Sequence, residues 1–266
     1  GRGCTRCGGV ATLLGPATSG IRSRVMVEDL HTPALEVGSL LAGRYRVGAV
    51  LGAGGMATVH RAHDEVLGRD VAIKVLGHAG EDPAARRRER AEIDMLAGLS
   101  HRALVTVFDA ATVHLAGGMS TIIVMELVDG PTLAGRLRRG PIADADLARL
   151  AVDVAEALVV VHARGIVHRD VKPSNILLAP SPLAGREFDG RLADFGIATL
   201  EGGARLTATG AVLGTAAYLS PEQAMGADVT TAADVYSLGL VLLEAITGRR
   251  EFPGPVLEAL TARMLR

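Results

Sequence analysis

The sequence has few aromatic residues and no tryptophan, since Phe, Trp and Tyr together make up only 3% of its 266 residues. Hydrophobic residues reach 48% and charged residues only 21%, so the chain should fold around a mainly aliphatic core of Leu, Val and Ala. Its formal net charge is −1, and this absence of excess positive charge argues against nucleic acid as a partner. The length suits one large domain or two lobes.

Cysteine is equally scarce, because Cys4 and Cys7 form a single C-x-x-C pair in a glycine-rich stretch. A tetrahedral zinc site would need a second pair, and a redox motif would need a surrounding fold. We therefore expect two reduced thiols within a disordered tail, residues 1–39, of a cytoplasmic protein.

Long hydrophobic runs are also missing, since none reaches the roughly 18–20 residues that a membrane-spanning helix requires. The longest candidate, residues 235–246, is interrupted by Ser237 and Glu244 and predicts a buried helix. The N-terminal stretch is too short and too rich in glycine for a signal peptide. We predict no membrane segment in this chain.

Residues 166–196 concentrate polar groups that suit phosphoryl transfer. They read H-R-D-x-K-x-x-N and, further on, D-F-G; the polar members are His168, Arg169, Asp170, Lys172, Asn175 and Asp194. Transfer from a nucleotide needs a metal held by oxygen ligands and a carboxylate near the incoming hydroxyl. Asp170, Asn175 and Asp194 offer those oxygens. Lys172 offers a cation for the transferred phosphate.

This segment resembles the catalytic segment of protein kinases, and the similarity extends over residues 40–266 in the family's order. Lys172 and the later Gly214-Thr215 resemble the sequence pattern of Ser/Thr kinases and not that of tyrosine kinases. The sequence as a whole resembles bacterial eukaryotic-like kinases. The resemblance implies an α+β, two-lobed fold. It places an N-lobe with a five-stranded antiparallel sheet and one helix at 40–125, a hinge at 126–130 and a mostly helical C-lobe at 131–266.

The resemblance also implies roles for the catalytic residues, with ATP and Mg²⁺ or Mn²⁺ as cofactors. Asp170 corresponds to the catalytic base, Asn175 and Asp194 to the metal ligands, and Thr215 to the residue that contacts Asp170 and Lys172. Lys74 closes a Val-Ala-Ile-Lys strand and matches the lysine that binds the α- and β-phosphates. Its anionic partner would be Glu92 on a helix predicted at 83–99, with Glu89 as the alternative.

The nucleotide pocket is predicted from the glycine-rich turn, the strands around it and the hinge. Ala57 stands where the family has its third glycine, which perturbs this turn without abolishing it. The predicted nucleotide-binding residues are Leu51, Gly52, Ala53, Gly54, Gly55, Met56, Val59, Ala72, Lys74, Met125, Glu126, Val128, Thr132 and Leu177. Thr132 would lie at the ribose and Leu177 under the adenine.

Further along, an apolar stripe predicts a long helix that ends near Gly165; its members are Leu147, Leu150, Ala151, Val154, Leu158 and Val161. Asp234 opens a very apolar helix that ends at Gly248. By resemblance, Asp234 would hold the backbone of the catalytic loop. The Pro- and Gly-containing stretch between Leu178 and Asp194 predicts a surface insertion without chemistry.

Residues 197–223 correspond to the family's activation segment, in which Thr207 and Thr209 are the expected phosphorylation sites. We expect protein substrates and a homodimer of the domain for autophosphorylation. The sequence stops after the helix that follows Gly248, before the family's last helices and before the arginine that pairs with Glu222. We therefore expect a fragment, or a domain less stable than a full kinase domain.

Two other functions compete with a protein Ser/Thr kinase. A catalytically inactive scaffold of kinase fold is favoured by the missing C-terminal helices, although Lys74, Asp170 and Asp194 are all present. A small-molecule kinase of related fold is opposed by the activation segment and by Ser220-Pro221-Glu222.

Overall fold

The computed structural model describes residues 35–54, 57–76, 93, 95–115, 118–194, 216–254 and 256–265. Its N-terminal part contains six strands. They are β1 (Leu40–Leu41), β2 (Tyr45–Ala53), β3 (Ala57–Asp64), β4 (Arg69–Leu76), β5 (Val107–Leu115) and β6 (Gly118–Glu126). All pairs are antiparallel, in the order β1-β2-β3-β4-β6-β5.

Five strands were predicted for this sheet, whereas the described residues form six. The additional strand, β1, has only two residues and pairs Leu40 with Arg46 and Leu41 with Tyr45 at the edge of the sheet. Two residues are too few for an alternating pattern to show in a sequence. Leu104 forms an isolated parallel bridge with Leu192, and β5 begins at Val107.

One face of this sheet covers an apolar core, as the period-two burial along the strands requires. In β3 the side chains of Thr58, His60, Ala62 and Asp64 are buried while Arg61 and His63 are exposed. The core residues are aliphatic apart from Tyr45; they are Leu35, Leu41, Val47, Ala62, Val71, Ile73, Val75, Ile122 and Val124.

The C-terminal part is mainly helical within the described residues. Its helices are α1 (Leu133–Leu137), α2 (Asp144–His162), α3 (Pro221–Met225), α4 (Thr231–Thr247) and α5 (Val256–Leu265). The predicted stripe of α2 is confirmed, because Leu147, Leu150, Val154, Leu158 and Val161 are all buried. Helix α4 begins three residues before Asp234, since Thr230 is its N-cap, and ends at Gly248 as predicted.

The stretch after Leu178 is a hairpin whose connection, residues 181–187, lies mostly at the surface as predicted, while the strands on either side of it are packed. Strands β7 (Ile176–Pro180) and β8 (Phe188–Leu192) pair antiparallel, and Phe188 and Leu192 are buried. Arg186 Nη2 donates to Oδ2 of the buried Asp153 on α2 at 2.5 Å. This ion pair and the two apolar side chains fix the hairpin to α2.

Among the helices described by the structure, none combines the length and the apolar character needed to cross a membrane.

Candidate active site

Asp234, a buried residue on α4, holds the backbone of the catalytic loop through hydrogen bonds at His168 and Arg169. Its Oδ2 accepts a hydrogen bond from the backbone N–H of His168 at 2.8 Å, and its Oδ1 accepts one from the N–H of Arg169 at 2.8 Å. His162, at the end of α2, lies 2.7 Å away through Nε2. This arrangement confirms the prediction that Asp234 holds the loop backbone. It also fixes Arg169 at a φ of 65°, which a non-glycine residue adopts only when its surroundings enforce it.

His168 is fully buried and bridges the loop to the strand that precedes Asp194. Its Nδ1 accepts from the N–H of Asp170, so Nε2 carries the proton and donates to the carbonyl oxygen of Ala193 at 3.1 Å. Burial lowers the pKa of His168, which outweighs the opposite effect of Asp234 and Asp170. The neutral imidazole of His168 therefore holds Asp170 and Ala193 in fixed positions relative to each other.

Asp170, Lys172 and Asn175 converge at the end of this loop. Nζ of Lys172 lies 2.8 Å from Oδ2 of Asp170, and Nδ2 of Asn175 donates to the same oxygen at 2.9 Å. Asn175 closes the 3₁₀ turn Pro173–Asn175, and its Nδ2 also donates to the backbone oxygen of Asp170. Within the described residues, Oδ1 of Asp170 is buried without a hydrogen-bond partner.

Lys74 on β4 brings the N-terminal sheet into the same site. Its Nζ lies 2.9 Å from Oδ1 of Asp194, and the lysine side chain is only 15% exposed. Asp194 has a φ of 57°, a second enforced left-handed conformation in the catalytic segment. The proposed partner of Lys74, Glu92, lies outside the described residues, as does the alternative Glu89.

An apolar cluster beside Lys74 gathers predicted adenine-binding residues from four separate parts of the chain. Ala72 and Met125 are buried in it, and Val59, Val128 and Leu177 pack against them. The sequence interpretation missed three further members of the cluster: Val105, Leu127 and Ala193. Ala193 directly precedes Asp194, and that position could have identified it.

Other predicted nucleotide-binding residues belong to the glycine-rich turn and to the strand before it. Leu51, Gly52 and Ala53 form the exposed end of β2, and the N–H of Gly54 donates to the carbonyl of Ala57 at 2.9 Å. Hence Ala57, the departure from the glycine pattern, still closes the turn through its backbone. Gly55 and Met56 are outside the described residues.

Glu126 in the hinge and Thr132 just after it, both predicted to bind the nucleotide, have partners within the protein. The Glu126 carboxylate lies 2.8 Å from Nη1 of Arg191 on β8. Thr132 is the N-cap of α1, and its Oγ1 accepts from the N–H of Gly135. Their contact with a nucleotide stays a prediction.

Three other predicted residues, Thr207, Thr209 and Thr215, lie outside the described residues. The segment that follows them is connected to the catalytic loop, because Nε2 of Gln223 donates to the carbonyl oxygen of Arg169 at 2.8 Å. Sequence reasoning had not singled out Gln223, whose contact is visible only once the chain is folded. Ser220 and Gln223 form a capping box at the start of α3.

Comparison with known proteins gives a consistent result. The family described as "Protein kinase domain" matches residues 45–264. Serine/threonine-protein kinase PknB of Mycolicibacterium smegmatis is 44% identical over 218 residues, which is 80% of this chain and 34% of the relative. Serine/threonine-protein kinase PknA of Mycobacterium tuberculosis is 42% identical over 221 residues, covering 82% of this chain and 50% of the relative. The chain therefore spans between a third and a half of the length of these relatives.

A solved structure shows the same likeness in three dimensions. The crystal structure of a point mutant of the Mycobacterium tuberculosis PknI kinase domain has a TM-score of 0.62 and 30% sequence identity. The similarity covers 86% of this chain and 85% of the other. A coverage of this size includes both the sheet and the helical part described above.

Proposed function

The chain belongs to the protein kinase family, among the bacterial eukaryotic-like Ser/Thr kinases, and we propose that its site transfers the γ-phosphate of ATP to Ser and Thr hydroxyls of proteins. The observation that carries this proposal is the convergence of Asp170, Lys172 and Asn175 with the Lys74–Asp194 pair, next to an apolar cluster of adenine-pocket character.

The residues present fit a nucleotide and a divalent cation. Both hydrogens of the Asn175 amide point to Asp170. Its Oδ1 accepts only a long hydrogen bond from Oγ of Ser174 at 3.4 Å and has a second lone pair for a cation, and Asp194 supplies a carboxylate. Asn175 and Asp194 would hold the Mg²⁺ or Mn²⁺, which would neutralise charge on the phosphates. No group of three or more His, Cys, Asp or Glu side chains in the described part of the chain could bind a metal alone. Phosphate oxygens and water would complete the coordination shell.

Each protein group then has a separate task. Lys74 would bind the phosphates of the nucleotide, and its fixed position beside Asp194 means that little reorganisation is needed. Asp170 would orient the acceptor hydroxyl and take its proton at the buried Oδ1, while its other oxygen is held by Lys172 and Asn175. Lys172 would also stabilise the charge that develops on the transferred group.

The experiment is incubation of the 266-residue chain with ATP labelled at the γ-phosphate, with Mg²⁺ or Mn²⁺, and with myelin basic protein as acceptor. We expect label on the acceptor and on Thr207 and Thr209 of the chain. Asp170→Asn should reduce transfer by about 10²–10⁴-fold while leaving ATP binding intact. Nucleotide binding without transfer in the parent chain would instead support the inactive scaffold.

We further propose that the domain acts in the cytoplasm on protein substrates and phosphorylates itself between two copies. Autophosphorylation between copies has a rate per molecule that rises with protein concentration, whereas transfer within one copy does not depend on concentration. A dilution series of the same reaction separates the two. A rate independent of concentration, from a chain that sediments as a monomer throughout the series, would contradict the homodimer.

A further inference from the structure

Three consecutive backbone carbonyls are held by side chains from other elements in the 3₁₀ turn Ala216–Tyr218. Arg263 on α5 donates from Nη1 to the oxygen of Ala216 and from Nη2 to the oxygen of Ala217, both at 2.9 Å. Ser237 on α4 donates from Oγ to the oxygen of Tyr218 at 2.7 Å. A turn whose carbonyls are all engaged from outside has little freedom to move.

Arg263 is placed for this contact at an electrostatic cost. The residue is only 4% exposed, and its guanidinium carbon lies 4.5 Å from the centre of the Phe252 ring. Burial lowers its pKa, and a hydrogen bond to the side chain of Tyr236 opposes that change. None of the salt bridges found in the described ranges includes Arg263. The two carbonyls and the aromatic ring therefore offset part of the cost of burying the cation, whose Nε has no hydrogen-bond partner within the described residues.

The turn held by Arg263 is joined directly to the catalytic loop. It leads into α3, whose Gln223 donates to the carbonyl oxygen of Arg169, the residue before Asp170. A second anchor is the Tyr218 hydroxyl, which donates to the Glu244 carboxylate on α4. The contacts of Arg263 do not include Lys74, Asp194 or the apolar cluster, which form the nucleotide side of the site. The turn is therefore linked, through α3, to the residue next to Asp170 and not to the nucleotide side of the site.

We propose that Arg263 is a positioning residue for the protein acceptor, because it fixes the Ala216–Tyr218 turn as a preformed edge beside the catalytic loop. The inference rests on the proposed kinase function and adds to it a residue outside the catalytic and nucleotide-binding groups. Fixing this edge before the acceptor arrives lowers the entropy that binding must remove. The acceptor is thus affected, and the nucleotide is not.

The test compares the 266-residue parent chain with Arg263→Gln, Arg263→Lys and Arg249→Gln. Arg249 is an exposed arginine of the same lobe and serves as the matched control. For each protein, kcat and KM are measured with myelin basic protein and with ATP, and ATP hydrolysis is measured without acceptor. We expect Arg263→Gln to raise KM for myelin basic protein about tenfold. KM for ATP and acceptor-free hydrolysis should stay within about twofold.

Lysine restores the charge and one of the two carbonyl contacts, so Arg263→Lys should recover part of the affinity. Arg249→Gln should behave as the parent. An unchanged KM for the acceptor in Arg263→Gln would overturn the proposal, and so would a parallel loss of acceptor phosphorylation and ATP hydrolysis.

Hydrogen exchange provides a readout that does not depend on activity. Backbone amides of residues 216–223 should exchange faster in Arg263→Gln than in the parent, while those of α2 keep their rates. Equal exchange in both proteins would contradict the proposal that Arg263 fixes the Ala216–Tyr218 turn. If the parent transfers no phosphate at all, the proposed function fails, and this comparison still decides whether Arg263 fixes the turn.

Discussion

Nζ of Lys74 lies 2.9 Å from Oδ1 of Asp194, although the two residues are 120 positions apart in the chain. The contact joins the N-terminal sheet to the catalytic segment and places a cation next to the residue that follows Ala193 of the apolar cluster. Since the lysine side chain is only 15% exposed, its charge acts in a medium that screens it weakly. The proposed function assigns the nucleotide phosphates to this cation.

Lys74→Met should therefore lower phosphoryl transfer by about 10²–10³-fold and weaken ATP binding, because the phosphates lose a preorganised positive charge. KM for the protein acceptor should change little. Arg263→Gln is expected to have the opposite effect, with a higher KM for the acceptor and little change in KM for ATP. Steady-state kinetics with both substrates varied will check it, and Lys74→Met with normal ATP affinity would contradict the role.

Arg44 and Asp64 form a second ion pair whose effect depends on pH. Nε and Nη2 of Arg44 donate to the two oxygens of Asp64 at 2.8 and 2.7 Å, which ties the start of β2 to the end of β3. This guanidinium, helped by the N–H groups of Leu67 and Val66, lowers the pKa of Asp64 to about 2. In the unfolded chain Asp64 titrates near its ordinary value of about 3.9.

The unfolded chain therefore binds a proton that the folded chain refuses between about pH 4 and pH 2, and stability falls as pH falls through this window. Arg44→Gln removes the cause of the low pKa. We expect its deficit in unfolding free energy relative to the parent to be full at about pH 5 and to shrink at about pH 3. Urea unfolding of both proteins at the two pH values measures this difference. A deficit that grew on acidification would disprove the linkage.

His60 offers a test of the N-terminal core. Its side chain on β3 is fully buried, and both ring nitrogens lack a hydrogen-bond partner within the described residues. A buried polar group without partners costs about 1–3 kcal/mol. Leucine has a similar volume and no polar atom, so His60→Leu should raise the free energy of unfolding by about 1 kcal/mol.

His60→Gln keeps polar atoms in the same place and serves as the matched variant, for which we expect no gain. Urea denaturation of the three proteins measures the effect. A lower midpoint for His60→Leu than for the parent would show that the imidazole makes a favourable interaction in the folded state.

Local patterns in the sequence predicted the parts of this fold that local physical chemistry controls. The apolar stripe predicted α2, and motif order predicted that Asp170, Asn175 and Asp194 belong to one site. Contacts between distant segments could not be predicted in this way. Ser237 and Glu244 were interpreted as interruptions of an apolar helix, whereas in the fold they bind the carbonyl and the hydroxyl of Tyr218.

Arg186 and Arg263 show the same limit. Each is one arginine among many in the sequence, and nothing in its neighbours indicates that it is buried against Asp153 or against two carbonyls. Such roles depend on which surfaces meet when the chain folds. The sixth strand was missed for a different reason, since two residues form no measurable pattern.

Two glycines in different environments give a last, paired prediction. A Cβ on Gly130, at the hinge, would lie 1.9 Å from the backbone oxygen of Leu178, and neither backbone can move freely because the N–H of Leu178 donates to Pro131. Gly239 lies exposed within α4, and a Cβ there would meet no atom of the described residues within 4 Å. Adding a methyl group should therefore change stability in opposite directions at the two positions.

Gly130→Ala should cost about 1–3 kcal/mol of stability and, by displacing the hinge, weaken ATP binding. Gly239→Ala should add about 1 kcal/mol, because alanine restricts the unfolded chain and favours the helix. Thermal and urea unfolding with ATP affinity measured on both variants will check the pair, and equal stabilities for the two would refute the close approach at the hinge.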